Sequence, residues 1–325
     1  MDKCLVFGAT GQDGSYLVDQ LLIEGYEVYA VIRKSSTTNL KNLAHHLIDQ
    51  QPLAKNLHLV RGDVLDHARV FSLLNEIQPN YIFNEADQDH VAWSVDIPSY
   101  SLSITTNAVV NLLEGVKIFC PEAILFQPVS SNIFGKAKEL MQHEETSLNP
   151  VSPYGIAKAA TFNFCNYYRE AYGLKICTGI LYNHESPRRT VAYLSRKVTK
   201  AVAEIHAGKR EKLQLGNLNG FIDWGYAPEF MNIAVQLVEG EHCDNFVIAT
   251  GQTTKVEDFV SMAFDYCGLD WQNFVEYEQS LERPISTSIL CGDVSKLKQS
   301  INRVPTTSIN ELIKIMIDHD MESLD

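Results

Sequence analysis

The sequence predicts an α/β fold in which helices cover both faces of a doubly wound parallel sheet, with a smaller carboxyl-terminal α/β unit. Three observations lead there. A short apolar run near the amino terminus enters a glycine-rich turn and then an amphipathic run. Strand-like and helix-like runs alternate from there to about residue 182, the pattern of parallel strands joined by crossover helices. No linker rich in Pro, Gly or Ser interrupts the chain, and it carries no repeats. The expected division is residues 1–182, joined by a returning strand within 244–251, and a second unit made mainly of 183–325.

At 325 residues, 45% hydrophobic and 21% charged, the chain can bury a full core and has an ordinary globular composition. Its formal charge of −13 excludes a general nucleic-acid or anionic-membrane surface, since either needs a basic face. The start of the chain goes straight into a strand, without an apolar signal region, and no run of about 18 apolar residues follows. A cytoplasmic protein is expected. The seven cysteines are odd in number and lack the spacing of a zinc or redox motif, so they read as core residues in a reducing compartment and no metal site is assigned.

Taken in order, residues 4–7 form the first strand, Gly8-Ala9-Thr10-Gly11-Gln12-Asp13-Gly14 the turn and 15–24 the helix. Backbone N–H groups at such a helix start face a pyrophosphate, and side chains at the glycine positions would block its approach. A second strand, 28–32, ends in Arg33-Lys34-Ser35-Ser36. Cations with hydroxyls there accommodate a 2′-phosphate, which favours NADP over NAD. The third strand, 57–60, leads to Gly62-Asp63-Val64 on the adenine side. The fourth, 81–83, leads into Asn84-Glu85-Ala86-Asp87-Gln88-Asp89-His90, placing three carboxylates at the strand end where open parallel sheets bind ligands. A long helix is expected over 103–119, a fifth strand over 123–126 that delivers Ser130 and Ser131, and a sixth over 175–181. Beyond it, Asn183-His184-Glu185-Ser186-Pro187-Arg188-Arg189 with Arg196, Lys197 and Lys200 makes a basic cluster suited to a diphosphate. A strand over 246–249 and helices over 256–267 and 309–316 complete the chain.

The proton-handling residues lie in Ser152-Pro153-Tyr154-Gly155-Ile156-Ala157-Lys158. Pro153 pre-sets a helix start, so Tyr154 and Lys158 fall on one face. A tyrosine has a pKa of roughly 10, so service as a base near neutral pH requires a drop of about three units. An ammonium about 4 Å away supplies about that much, roughly 4 kcal/mol at an effective dielectric of 20. Ser130 would donate to the same substrate oxygen.

Together these motifs resemble the extended short-chain dehydrogenase/reductase superfamily, and within it the GDP-mannose 4,6-dehydratases. Further markers are Leu215-Gly216-Asn217-Leu218, Asp223-Trp224-Gly225 and Gly268-Leu269-Asp270-Trp271. The resemblance implies a Rossmann domain holding NADP through Gly8, Thr10, Gly11, Gln12, Asp13, Gly14, Arg33, Lys34, Ser35, Asp63 and Val64, with Tyr154 and Lys158 at the nicotinamide end. It implies a GDP-hexose or related nucleotide diphosphate sugar held by Asn183, His184, Glu185, Arg188, Arg189, Lys197 and Arg283. The reaction would run through a 4-keto sugar with Ser130, Tyr154 and Lys158 as the catalytic set, in a homodimer or homotetramer. The family's acid/base glutamate, two residues after the hydroxyl donor, is Asn132 here, and an amide exchanges no proton at neutral pH. That leaves 4-epimerisation, or a cofactor-bound inactive homologue, as alternatives to dehydration. Asp87 or Asp89 would supply the missing carboxylate, and Ser131 and Asn132 are further possible catalytic residues. Ile222, Asn42, Ser286 and Ser288 are further departures, bearing on the sugar and on a tetramer.

Overall fold

The computed structural model describes residues 1–34, 40–47, 55–279 and 289–324. In chain order it contains β1 (Lys3–Phe7), α1 (Gln12–Ile23), β2 (Glu27–Ile32), β3 (Leu57–Arg61), α2 (His67–Ile77), β4 (Tyr81–Asn84), α3 (Trp93–Asp96), α4 (Pro98–Leu102), α5 (Ala108–Phe119), β5 (Ile124–Ser130), α6 (Pro153–Tyr172), β6 (Ile176–Leu181) and β7 (Asn183–Glu185). There follow α7 (Leu194–His206), β8 (Leu213–Leu215), β9 (Phe221–Ile222), β10 (Trp224–Tyr226), α8 (Ala227–Glu239), β11 (Asn245–Ile248), β12 (Thr254–Lys255), α9 (Val256–Tyr266), β13 (Val275–Tyr277), α10 (Ser295–Ile301) and α11 (Ile309–Glu322).

Seven strands form one parallel sheet in the order β11-β6-β5-β4-β1-β2-β3. The chain builds outward from β1 in both directions, so a crevice opens at the strands' carboxyl ends between β1 and β4, where the order reverses. Both faces are covered, and the strands accordingly read as near-continuous apolar runs; every residue of β6 is buried. On one face α1 and α8 pack through Leu17, Leu21, Phe230, Met231 and Leu237. On the other, α2, α5 and α6 pack through Leu73, Leu74, Leu112, Val116 and Tyr168. Each large apolar side chain buried in this way contributes about 1.5–3 kcal/mol before conformational entropy is counted. A third core, built from α7, α9 and α11 around Trp224 and Phe259, belongs to the carboxyl-terminal unit. β11 returns from that half of the sequence to the sheet edge, pairing with β6 from Asn245↔Thr178 to Ile248↔Leu181.

Two expected elements take a different form. The helix expected over 103–119 begins earlier, at Pro98, and contains a π-helical turn over Ser103–Asn107 between α4 and α5. That turn is held by side chains from α6: Thr161 Oγ1 donates to the Thr105 carbonyl at 2.6 Å. β5 runs on to Ser130 through Pro128, a residue that central strands ordinarily reject. It is tolerated because β4 pairs only as far as Phe126, so the missing N–H at 128 falls where the neighbouring strand has already left.

Candidate active site

The glycine turn is packed so tightly that only glycine fits it. Gly8 has φ +71°, and a Cβ there would stand 2.5 Å from the backbone of Glu85. At Gly14 a Cβ would meet the Gly8 carbonyl oxygen at 2.3 Å. The end of β4 and the start of α1 therefore close on the turn, with Gly11 N–H donating to Gly8 O at 2.9 Å. The next two side chains lock it to β7. The Gln12 amide donates to the His184 carbonyl at 3.0 Å and accepts from Ser186 Oγ at 2.8 Å. Asp13 Oδ2 meets His184 Nε2 at 2.9 Å, while His184 Nδ1 lies 2.7 Å from the Tyr182 carbonyl. A ring with one nitrogen on a carbonyl and the other on a carboxylate makes both contacts best as an imidazolium. Burial opposes both charges, yet the pair prevails: Asp13 is held below the ordinary carboxylate range by His184, and His184 is raised by Asp13.

Across the crevice, Ser152 caps α6 by accepting from Gly155 N–H at 3.0 Å, with Pro153 in the first turn. Tyr154 and Lys158 are 6% and 5% exposed, so the pair faces the protein interior and the crevice rather than a solvated helix side. Ser130 stands beside Tyr154, where its hydroxyl favours the phenolate, and its Oγ accepts from the Asn132 backbone at 3.2 Å and side-chain amide at 3.0 Å. Ser131 is buried beside them.

The expected lowering of the phenol does not occur. The Lys158 ammonium lies 2.7 Å from Asp87 Oδ2 and donates to the Pro128 carbonyl at 3.0 Å, and it stands 5.8 Å from the centre of the Tyr154 ring. Burial, then Asp87 and Asp89, push Tyr154 well above its ordinary value, outweighing Ser130 and Arg189. Asp87 is itself fixed by the Gln88 N–H at 2.7 Å and by the Thr105 hydroxyl of the π-helical turn. Glu85, between this cluster and the glycine turn, has its Oε1 buried without a hydrogen-bond partner, and burial followed by Asp13 raises its carboxyl to about 8.

The basic segment after β6 divides its residues. Arg189 Nη1 reaches Asp89 Oδ2 at 3.4 Å, its Nε approaches buried Glu185 at 3.5 Å, and its guanidinium lies 3.6 Å from the centre of the Tyr193 ring. It therefore borders the same space as Tyr154. Arg188 turns instead to α1, donating to Ser15 Oγ at 3.1 Å and pairing with Asp19 at 2.7 Å. Arg196, expected in the basic cluster, is buried in a two-pronged pair with Asp320 and offers no charge to a ligand. Lys197 donates to the Gln214 carbonyl at 2.7 Å, and Asn183 is exposed. On the β2 side Arg33 and Lys34 are exposed, Arg33 within 3.5 Å of the Tyr100 hydroxyl. Asp63 accepts from Leu65 N–H at 3.0 Å, and Val64 is buried. Ser35 and Arg283 lie outside the described residues, as do Ser286 and Ser288.

A profile of the family described as GDP-mannose 4,6 dehydratase matches residues 5–316. The chain is 39% identical over 323 residues to GDP-mannose 4,6 dehydratase 1 of Arabidopsis thaliana, covering 98% of this chain and 89% of that one. The chain belongs to the GDP-mannose 4,6-dehydratase family. Among solved structures, the dTDP-glucose 4,6-dehydratase of Bacillus anthracis in complex with NAD superposes with a TM-score of 0.85 at 21% identity, covering 99% of this chain and 97% of that one. RMD from Pseudomonas aeruginosa complexed with NADPH superposes with a TM-score of 0.80 at 18% identity and full coverage of both. At these identities the likeness shows the fold, a Rossmann-type sheet with a carboxyl-terminal α/β unit.

This dehydratase-family chain has a second concavity that the sequence reading left without a role. An open groove of about 480 Å³ in the carboxyl-terminal unit is lined by Leu215, Asn217, Asn219, Glu257, Trp271 and Tyr277. Leu215–Leu218 and Trp271 stood out only as markers of resemblance. Nothing in their spacing brings them together; β13 does so by pairing with β8, Tyr277 opposite Leu215. Thr105 and Tyr193 were missed as well, since a hydroxyl or phenol in a helical run carries no signal of what it will face.

Proposed function

We propose that the protein is an NADP-dependent enzyme that converts a nucleotide diphosphate sugar, of the GDP-hexose class, through a 4-keto intermediate, and that 4,6-dehydration is its reaction. The observation that carries this reading is the buried Tyr154 beside Ser130 with Lys158 one turn along α6, set in the crevice that the glycine turn borders. The turn suits a dinucleotide, because glycine at 8 and 14 lets the end of β4 and the start of α1 close on it, giving the tight strand-turn-helix whose first backbone N–H groups face a pyrophosphate. Arg33 and Lys34 at the end of β2 support NADP, and a structural neighbour carries NADPH.

When bound, NADP would accept hydride from carbon 4 and return it to carbon 6 once water has left, so that no net oxidation results. Tyr154 takes the proton of the carbon 4 hydroxyl, and Ser130 donates to the same oxygen. Lys158 supplies a positive charge beside the phenol, its ammonium 5.8 Å from the ring centre. Removal of water across carbons 5 and 6 then needs a group that exchanges a proton. Asn132 is unsuited, being an amide already donating to Ser130. We assign that role to Asp89, which is half exposed beside Arg189 and raises Tyr154 through space, whereas Asp87 is engaged by Lys158 and Thr105. Arg189 grips the diphosphate, and the groove at Trp271 and Glu257 receives the base, with Lys197 behind it. Exposed Ile156, Phe164 and Tyr167 on α6 support a homo-oligomer through that helix, and seven free cysteines support a cytoplasmic setting.

The test is to incubate the protein and NADP with GDP-mannose and related nucleotide sugars and to follow the mass of the sugar. Loss of one water is the expected result. An unchanged mass with an inverted carbon 4 would instead establish a 4-epimerase, the reading favoured by Asn132. No turnover and no reduction of NADP with any of them would defeat the enzyme reading. Asp89→Asn with undiminished dehydration removes Asp89 from its role and leaves the rest standing.

A further inference from the structure

Away from the crevice, three side chains converge on one point. Asp19 lies on α1, and His45 and His46 end the short 3-10 turn Lys41–His46 that follows the β2 connection. The Nε2 atoms of both histidines approach the same oxygen, Asp19 Oδ1, at 2.8 and 2.5 Å. The donor atoms all lie within 4.8 Å of one another. His46 is buried, Asp19 is 21% exposed at its side chain and His45 47%. Asp19 Oδ2 is held from the other side by Arg188 at 2.7 Å, which fixes the direction in which Oδ1 points.

We propose that Asp19, His45 and His46 bind a single divalent ion of the zinc class, with water in the fourth position. Two imidazole nitrogens and one carboxylate oxygen are a donor set that suits zinc, with bonds of about 2.0–2.2 Å. Ligand atoms around a tetrahedral ion stand roughly 3.3 Å apart on those bond lengths, so the trio opens by less than about 1 Å to admit one. The hydrogen-bonded trio is then the metal-free form: two Nε2–H donors crowd one carboxylate oxygen, and the rings stand 4.0 Å apart. Admission of the ion needs each ring to carry its proton on Nδ1 and present the Nε2 lone pair. The Arg188 contact acts as the outer partner that orients a ligating carboxylate. The same turn carries Asn42, whose amide donates to the Thr10 carbonyl at 3.1 Å, so an ion here pins to α1 the segment that braces the glycine turn. Sequence spacing gave no hint of the site, because Asp19 and His45 are 26 residues apart and meet only through the fold.

The experiment uses the full chain without an affinity tag, stripped with a chelator, dialysed against zinc and then against metal-free buffer. About one equivalent of retained zinc is expected, and cobalt in its place should give the visible bands of a four-coordinate ion. His45→Gln, at a half-exposed position that spares the fold, and Asp19→Asn should each lower zinc affinity at least about 10-fold, with circular dichroism unchanged for His45→Gln. His58→Gln, which alters a histidine paired with Glu27, should retain the ion. Retention no greater in the wild type than in His45→Gln, or an equal loss in His58→Gln, would mean scattered binding by surface histidines and would overturn the site.

Discussion

Lys158 governs the charge of the crevice, since its ammonium faces Asp87 at 2.7 Å and the Tyr154 phenol is left high. Replacing Asp87 by Asn removes both the competitor for Lys158 and the nearest charge opposing a phenolate. The Tyr154 pKa should fall by about one unit or more, and the limb of the kcat/KM profile that reports the phenolate should move to lower pH by that amount; a limb that stays in place would show that Asp87 does not restrain the pair. Glu85 gives a second test. Its carboxyl is ordinary when unfolded and raised to about 8 when folded, so the folded chain holds a proton that the unfolded chain has released. Stability therefore declines as pH climbs from about 4.5 toward 8. Glu85→Gln removes this dependence. In urea unfolding the variant should gain on the wild type between pH 5 and pH 8.5 by on the order of a few kcal/mol, and a constant gap would mean that Glu85 titrates normally. The three carboxylates after β4 were visible in the sequence. Which one would take the lysine was not, because that depends on Thr105, 18 residues away on another element.

Among the elements, α6 was the most readable and α7 the least. For α6, Ser152 and Pro153 specify the start, Gly173 in a left-handed conformation the end, and the four-residue spacing sets Tyr154 above Lys158. For α7, the cations suggested a cluster facing a diphosphate, yet Arg196 is turned inward onto Asp320 of α11, both nearly sealed from water. One periodicity serves a face that grips an anion and a face that packs on a helix bearing an acid; only the partner distinguishes them. Asp320→Ala leaves the guanidinium charged, buried and unpaired, and should cost about 3–5 kcal/mol in denaturant unfolding. The double variant Arg196→Met/Asp320→Leu should recover most of that. A single-variant cost below about 1 kcal/mol would show that water reaches the arginine.

Across the whole molecule, Asp223 joins the large sheet to the carboxyl-terminal unit. Fully buried, it accepts from Thr250 N–H at 3.0 Å, Thr250 Oγ1 at 2.5 Å, Gly251 N–H at 3.1 Å and Gly292 N–H at 3.3 Å. Asp223→Ala strands these donors and should cost about 3 kcal/mol or more, with limited proteolysis cutting first near residues 250 and 292; cleavage unchanged at those sites would remove Asp223 from this role. No helix among the described residues is long and apolar enough to cross a membrane. The sequence by itself determined the parallel sheet, the glycine turn and the Tyr154/Lys158 spacing, because each rests on local rules: apolar runs of strand length, a turn that excludes side chains, and the pitch of a helix. Tertiary structure alone decided the pairing of Lys158 with Asp87, the burial of Arg196, the diversion of Arg188 to α1 and the meeting of Asp19 with two histidines. Charged side chains are long and sparsely placed along the chain. Which opposite charge each one meets is set by how distant elements pack, and no neighbour in sequence records it.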